Sequence, residues 1–182
     1  LSVSDVDDRV TLVRLSHVAG GRIDRMRLER GRQSGGRSCI YSPNNTLVPD
    51  LTVRDFTASG CIESGYRVTS GGLKERVVAE RCGENGYRNA HMDRPAAVED
   101  VLRDCRFSDN NQRREVNDSG VRAEHLASLV VADSRLGPGA HQAYGLYFAG
   151  QKGARVRLVN NDMSGNQKAP HRIVSPARLI AS

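Results

Sequence analysis

Val101-Leu102-Arg103-Asp104-Cys105-Arg106-Phe107-Ser108-Asp109-Asn110 reads as two short strands separated by a polar corner. Alternation turns Leu102 and Phe107 inward and the arginines outward, the period of a half-buried strand. Asp104 and the Asp109-Asn110 pair are residues whose side chains satisfy backbone N–H groups in turns. A third strand is predicted after Gly120, over Val121-Arg122-Ala123-Glu124. The same layout returns as DSRLGPG (133–139) followed by YGLYFAG (144–150), and as NNDMSGN (160–166) followed by HRIVS (171–175).

Working outward, one pattern recurs along the chain: apolar, any, apolar, any, then Asp, Glu or Asn. Leu1-Ser2-Val3-Ser4-Asp5 and Leu51-Thr52-Val53-Arg54-Asp55 are the clearest copies. Its second apolar position falls at 3, 28, 53, 78, 102, 131 and 158, in steps of 24 to 29 residues. A unit of that size cannot bury its own apolar face, so successive units must stack. Leucine-rich repeats share the period but need a longer leucine frame that is missing here. The predicted fold is therefore all-β: one single-stranded right-handed parallel β-helix (a β-solenoid) of about seven coils over residues 1–182. At the usual strand spacing its length would be roughly 34 Å. The start in mid-repeat and without Met reads as a piece of a longer chain.

These repeats resemble those of the right-handed parallel β-helix (pectate-lyase-like) superfamily, which includes pectate lyases, polygalacturonases, alginate epimerases and phage tailspikes. The resemblance implies an extracellular, cell-surface or virion protein that meets a polysaccharide in a groove along the strand after the Asn/Gly turn. It leaves two functions open. One is binding and cleavage or modification of an acidic polysaccharide by lyase, glycosidase or epimerase chemistry. The other is a non-catalytic shaft of a tailspike or surface adhesin, in which case a homotrimer is expected.

Composition narrows the partners. With 38% hydrophobic residues and a mean hydropathy of -0.51, the surface must be very polar. No apolar run approaches the roughly 18–20 residues of a membrane span, so no membrane partner is expected. The net charge is +6, and of 27 basic residues only Lys74, Lys152 and Lys168 are lysines. Arginine forms bidentate bonds to carboxylates and sulfates. The basic-aromatic interleaving and reading helices of nucleic-acid binders are missing, so no nucleic-acid partner is expected. Cys39, Cys61, Cys82 and Cys105 have no CxxC spacing, which argues against a zinc finger. Lying about one coil apart, they read as small inward residues, with a disulfide left as the alternative.

On the strand after the Asn/Gly turn, alternation predicts Tyr66, Tyr87, Val121 and Leu146 inside. It places Arg67, Arg88, Arg122, Tyr147 and Arg172 outside, about one strand spacing apart. Stacked guanidiniums need partners. Either acids such as Glu63, Asp93 or Glu124 neutralise them, or they clamp an anionic polymer, with Tyr147 stacking on a sugar ring. Chemistry would fall to His91, Arg88, Glu124 and His125, and substrate binding to Arg67, Arg122, Tyr147 and Asp93. A His base would remove the proton beside a uronate carboxylate, and Arg88 or Arg122 would stabilise the enediolate. A glycosidase would instead pair Glu124 with Asp93 or Asp118. NAHMDR (89–94) resembles the DPHD element of alginate C5-epimerases through His91.

Asp55, Glu80, Asp104, Asp133 and Asn160 are predicted to share one corner of successive coils. They read as a ladder of turn residues rather than of calcium ligands, since stacked carboxylates would raise one another's pKa values. No cofactor is therefore assigned, with Ca²⁺ kept as the alternative.

Overall fold

In the computed structural model the described residues are 2–3, 13–15, 20–29, 38–42, 47–90, 96–114, 116, 118–174 and 177–180. They form sixteen strands and no helix. In chain order these are β1 (Ser2–Val3), β2 (Val13–Arg14), β3 (Gly20–Glu29), β4 (Ile40–Tyr41), β5 (Asp50–Ser59), β6 (Tyr66–Arg67), β7 (Gly72–Glu80) and β8 (Tyr87–Ala90). They continue as β9 (Ala96–Arg103), β10 (Arg106–Ser108), β11 (Ser119–Glu124), β12 (Leu126–Ala132), β13 (Tyr144–Ala149), β14 (Arg155–Val159), β15 (Ala169–Ile173) and β16 (Arg178–Ile180).

Every pairing is parallel, and the strands stack as a β-solenoid. Sheet A runs β1-β3-β5-β7-β9-β12-β14-β16, with β10 joined to β7, and sheet B runs β15-β13-β11-β8-β6-β4-β2. A narrower third face follows sheet A in each circuit, where isolated bridges join Arg106 to Arg135 and Arg135 to Asp162. The three-part unit of the sequence is thus β9, β10 and β11, with Phe107 fully buried. About five turns are complete, rather than about seven. The repeats nearest the ends supply strands such as β1 and β16 that stack on one neighbour only.

The corner after sheet A fixes the register. Arg25, Asp55, Arg76, Asp104, Asp133 and Asn160 all have φ between 49° and 52°, the left-handed region. Pairings on either side set them in one file: Arg54 lies opposite Asp24 and Glu75, and Arg103 opposite Glu75 and Ala132. Asp and Asn tolerate this conformation better than most residues. Asp55, Asp104, Asp133 and Asn160 therefore sit where predicted, but Glu80 does not; its place belongs to Arg76.

The same correction applies to the apolar files. Leu102, Val131 and Leu158 do align, and so do Val3 and Leu28. Val53, however, faces Ile23 and Lys74, while Leu28 faces Ala58 and Val78 faces Thr57 and Arg106. The alternation occurs on both sides of the corner, and the sequence pattern merged the two faces into one series.

The core is a column of stacked side chains. Phe56, Tyr66, Tyr87 and Phe107 are fully buried, and the Tyr66 and Tyr87 rings lie nearly parallel at 4.5 Å. Beside them is a polar cluster with no counterpart in the sequence reading. Lys74 Nζ donates to Asp100 Oδ1 at 2.7 Å and to Gly71 O at 2.6 Å, with both charged side chains at 0% exposure. Tyr87 OH and Asn89 Nδ2 donate to Asp100 Oδ2 at 2.6 and 2.8 Å. Burial pushes the Lys74 pKa down against the pull of Asp100. The turns before sheet B are held by amides: Asn110 donates to Gln142, and Gln142 to Asn166.

Cys39 and Cys61 are joined in a disulfide, Cα atoms 5.7 Å apart, which replaces the reading of both as free inward residues. One circuit brings residues 22 apart into contact. Cys82 and Cys105 are free and buried as predicted, and desolvation pushes both thiols up to about 12.

Candidate functional site

Sheet B presents one outward file with a rung from every strand. Arg14 pairs with Tyr41, Tyr41 with Arg67, Arg67 with Arg88, Arg88 with Arg122, Arg122 with Tyr147 and Tyr147 with Arg172. The predicted row of Arg67, Arg88, Arg122, Tyr147 and Arg172 is in register, and Arg14 and Tyr41 extend it. The inward partners Tyr66, Tyr87, Val121 and Leu146 are all buried.

Three rungs share a five-residue motif: Glu63-Ser64-Gly65-Tyr66-Arg67, Glu84-Asn85-Gly86-Tyr87-Arg88 and Asp118-Ser119-Gly120-Val121-Arg122. The glycine permits coil-to-coil contact. A Cβ at Gly86 would lie 2.9 Å from Gly120 O and 2.7 Å from Asn110 Nδ2. The arginine folds back on the acid four residues earlier, at 2.8 Å for Arg67–Glu63, 3.5 Å for Arg88–Glu84 and 3.3 Å for Arg122–Asp118. Arg122 also holds Glu124 at 3.0 Å. The predicted neutralisation is thus carried by Glu63 and Glu124, together with Glu84 and Asp118. These three arginines and their acids form an ion-pair ladder up the face.

The ladder is only partly wet. Glu84 and Asp118 are pushed above the ordinary carboxylate range by desolvation, and Arg88 is pulled down by desolvation and by the charges of Arg67 and Arg122. Asp118 Oδ2 and the Nε atoms of Arg88 and Arg122 are buried without a hydrogen-bond partner among the described residues.

Beyond Arg122 the motif changes as a unit. The next coil reads Ala143-Tyr144-Gly145-Leu146-Tyr147, losing acid and arginine together, and the following one reads Lys168-Ala169-Pro170-His171-Arg172. Backbone bonds from Ala143 N to Asp118 O and from Lys168 N to Ala143 O keep the acid position in file. The end of the face is therefore cationic and aromatic. Arg172 lies 5.9 Å from the Tyr144 and Tyr147 ring centroids and donates to Tyr144 OH at 3.3 Å. Lys168 lies 5.7 Å from the Tyr144 centroid, and Arg122 lies 5.4 Å from that of Tyr147.

The predicted site residues divide accordingly. Arg67, Arg88, Arg122 and Tyr147 share one file, with Glu124 beside Arg122. His125 is exposed just past β11, at the separate turn from sheet B into β12 with φ 62°, off the file. His91 and Asp93 lie outside the described residues. Glu84, Tyr144 and Lys168 were missed, although the spacing of acid and arginine by four was available as a signal. Among the described residues no group of three or more His, Cys, Asp or Glu side chains is placed to hold a metal ion. No protein-family model matches the chain, and no curated protein or solved structure matches it either.

Proposed function

We propose that this chain binds an acidic polysaccharide along the outward face of sheet B, held most firmly at the acid-free end. The observation that supports this reading is the paired loss of acid and arginine at the Tyr147 rung, followed by Lys168 and Arg172, which form no ion pair with a carboxylate among the described residues; Lys168 Nζ donates to Val116 O at 2.7 Å. A guanidinium already set against two tyrosine rings can meet a uronate carboxylate while a ring packs on the sugar face. Successive strands repeat about every 4.8 Å, which suits a polymer lying along the rod. The disulfide fits an extracellular or virion location, where such bonds persist.

Calorimetric titration with oligogalacturonate, against maltohexaose as the neutral control, tests the reading. Arg172→Ala and Lys168→Ala should each weaken oligogalacturonate binding about tenfold. Arg67→Ala, whose charge Glu63 already answers, should change it little. Equal binding of both sugars, or full affinity in the Lys168/Arg172 double variant, would refute it.

Cleavage or modification within a pectate-lyase-like frame extends the same proposal. His91 or His125 would serve as base, Arg88 or Arg122 as the cation beside the enediolate, and Glu124 as a further carboxylate. Release of unsaturated uronates or of reducing ends tests it, with His91→Ala and Arg88→Ala expected to abolish turnover. The second reading is a non-catalytic shaft of a tailspike or surface adhesin. A trimer by light scattering, without turnover, would support that reading.

A further inference from the structure

On the other side of the solenoid, the left-handed corner and the third face enclose an open groove of about 510 Å³ running across four coils. That volume falls within the range of small-ligand sites, about 300–1,000 Å³. Its walls come from one short pattern repeated in register. Asp104-Cys105-Arg106 and Asp133-Ser134-Arg135 lie on adjacent coils, with Arg76 before them and Asp162 after. The corner file supplies Asp104 and Asp133, and the bridges between Arg106, Arg135 and Asp162 align the second file. Each middle coil thus presents one carboxylate and one guanidinium across the groove floor, where Cys105 and Ser134 are buried.

The pairing within the groove is incomplete. Arg76 is taken by Asp55, at 2.6 and 3.1 Å, and Arg135 reaches Asp162 at 3.5 Å. Asp104 and Arg106 have no side-chain hydrogen bond or ion pair among the described residues. Arg76, Arg106 and Arg135 balance Asp104, Asp133 and Asp162, so the groove carries no net charge to attract a polyanion or polycation. Among the lining residues Val78 is the one aliphatic side chain and is itself half-buried, and no aromatic ring lines the groove, so it offers no apolar platform for a ligand. What remains is a neutral chain rich in groups that both donate and accept hydrogen bonds.

We propose that this groove is a second, separate site that binds a neutral polyhydroxylated glycan lying along the solenoid axis. Asp104 and Asp133 accept from its hydroxyls, and Arg106 donates to them. The site is independent of the acidic-polymer reading of sheet B, from which it differs in face, charge balance and ligand.

The test is backbone-amide NMR of the ¹⁵N-labelled chain titrated with xylohexaose, cellohexaose or maltohexaose, and separately with oligogalacturonate. At least one neutral chain should shift the amides of Asp104, Arg106, Asp133 and Arg135. The Asp104→Asn/Arg106→Gln variant should weaken that binding about tenfold while leaving oligogalacturonate shifts on sheet B unchanged. Asn already occupies this corner position at residue 160, so the fold tolerates the change. No shift at these amides with any neutral chain, a response there to oligogalacturonate alone, or binding indifferent to the variant would each overturn the proposal. Arg172→Ala should leave the neutral-chain response intact, which separates failure here from failure on sheet B.

Discussion

Replacing Asp100 by leucine removes one partner of a charge pair from which water is excluded. Its carboxylate accepts from Lys74 at 2.7 Å, Tyr87 at 2.6 Å and Asn89 at 2.8 Å. Without it the Lys74 ammonium keeps only the carbonyls of Gly71 and Gly72, at 2.6 and 3.4 Å, and loses its counter-charge. Breaking a buried pair in this way costs about 3–5 kcal/mol. For a chain of this length that is a drop of roughly 6–20 °C in melting temperature. Urea unfolding followed by far-ultraviolet circular dichroism measures it. Removing the whole cluster should cost less than removing half of it. Lys74→Met/Asp100→Leu leaves the Tyr87 hydroxyl and one N–H of the Asn89 amide short of their partner, a penalty of about 1–3 kcal/mol each, and adding Tyr87→Phe should recover the hydroxyl's share. The reasoning fails if Asp100→Leu costs less than about 1 kcal/mol, or if the triple variant is no more stable than the single one.

Four further outcomes follow from the same packing. Because desolvation raises the Glu84 pKa on folding, its contribution is present below the unfolded value and is lost as pH rises through the folded one. The melting temperature of Glu84→Gln relative to wild type should therefore climb with pH across the carboxylate range; a flat difference would contradict this. At the left-handed corner, Asp133→Val should cost about 1–2 kcal/mol in chemical denaturation, whereas Asp133→Asn should be nearly neutral. Reducing the Cys39–Cys61 bond, which closes a loop of 22 residues, should cost about 3 kcal/mol. Thiol titration of the native protein should leave Cys82 and Cys105 unreacted until it unfolds.

The solenoid was legible because stacking repeats the same demand in every circuit: an inward apolar residue every second position and a corner that a short polar side chain can turn. Asp104, Asp133 and Asn160 declare that corner openly. Arg76 and Arg25 hide it, since arginine has no turn preference and adopts the left-handed conformation only because its neighbours impose it. The outward row was read correctly wherever Gly-x-Arg marked it. Its neutralisation was only half visible, because an acid four residues earlier matters only once the chain folds back at the glycine. Lys74 and Asp100 were invisible for a different reason. They lie 26 residues apart on two strands that each look solvent-facing, and only the stacking of β7 on β9 brings them together.

A full circuit runs from the residue after Arg103 to Ala132, its partner in the next strand. Both ends of that segment enter and leave through the same left-handed corner, so a tandem duplication of residues 104–132 would splice without a geometric mismatch. The product would be a longer rod with one additional acid-arginine rung on one side and one additional Asp-Arg pair on the other. Length, and with it the number of sugar units each side can span, is then a quantity that gene duplication could adjust in whole steps.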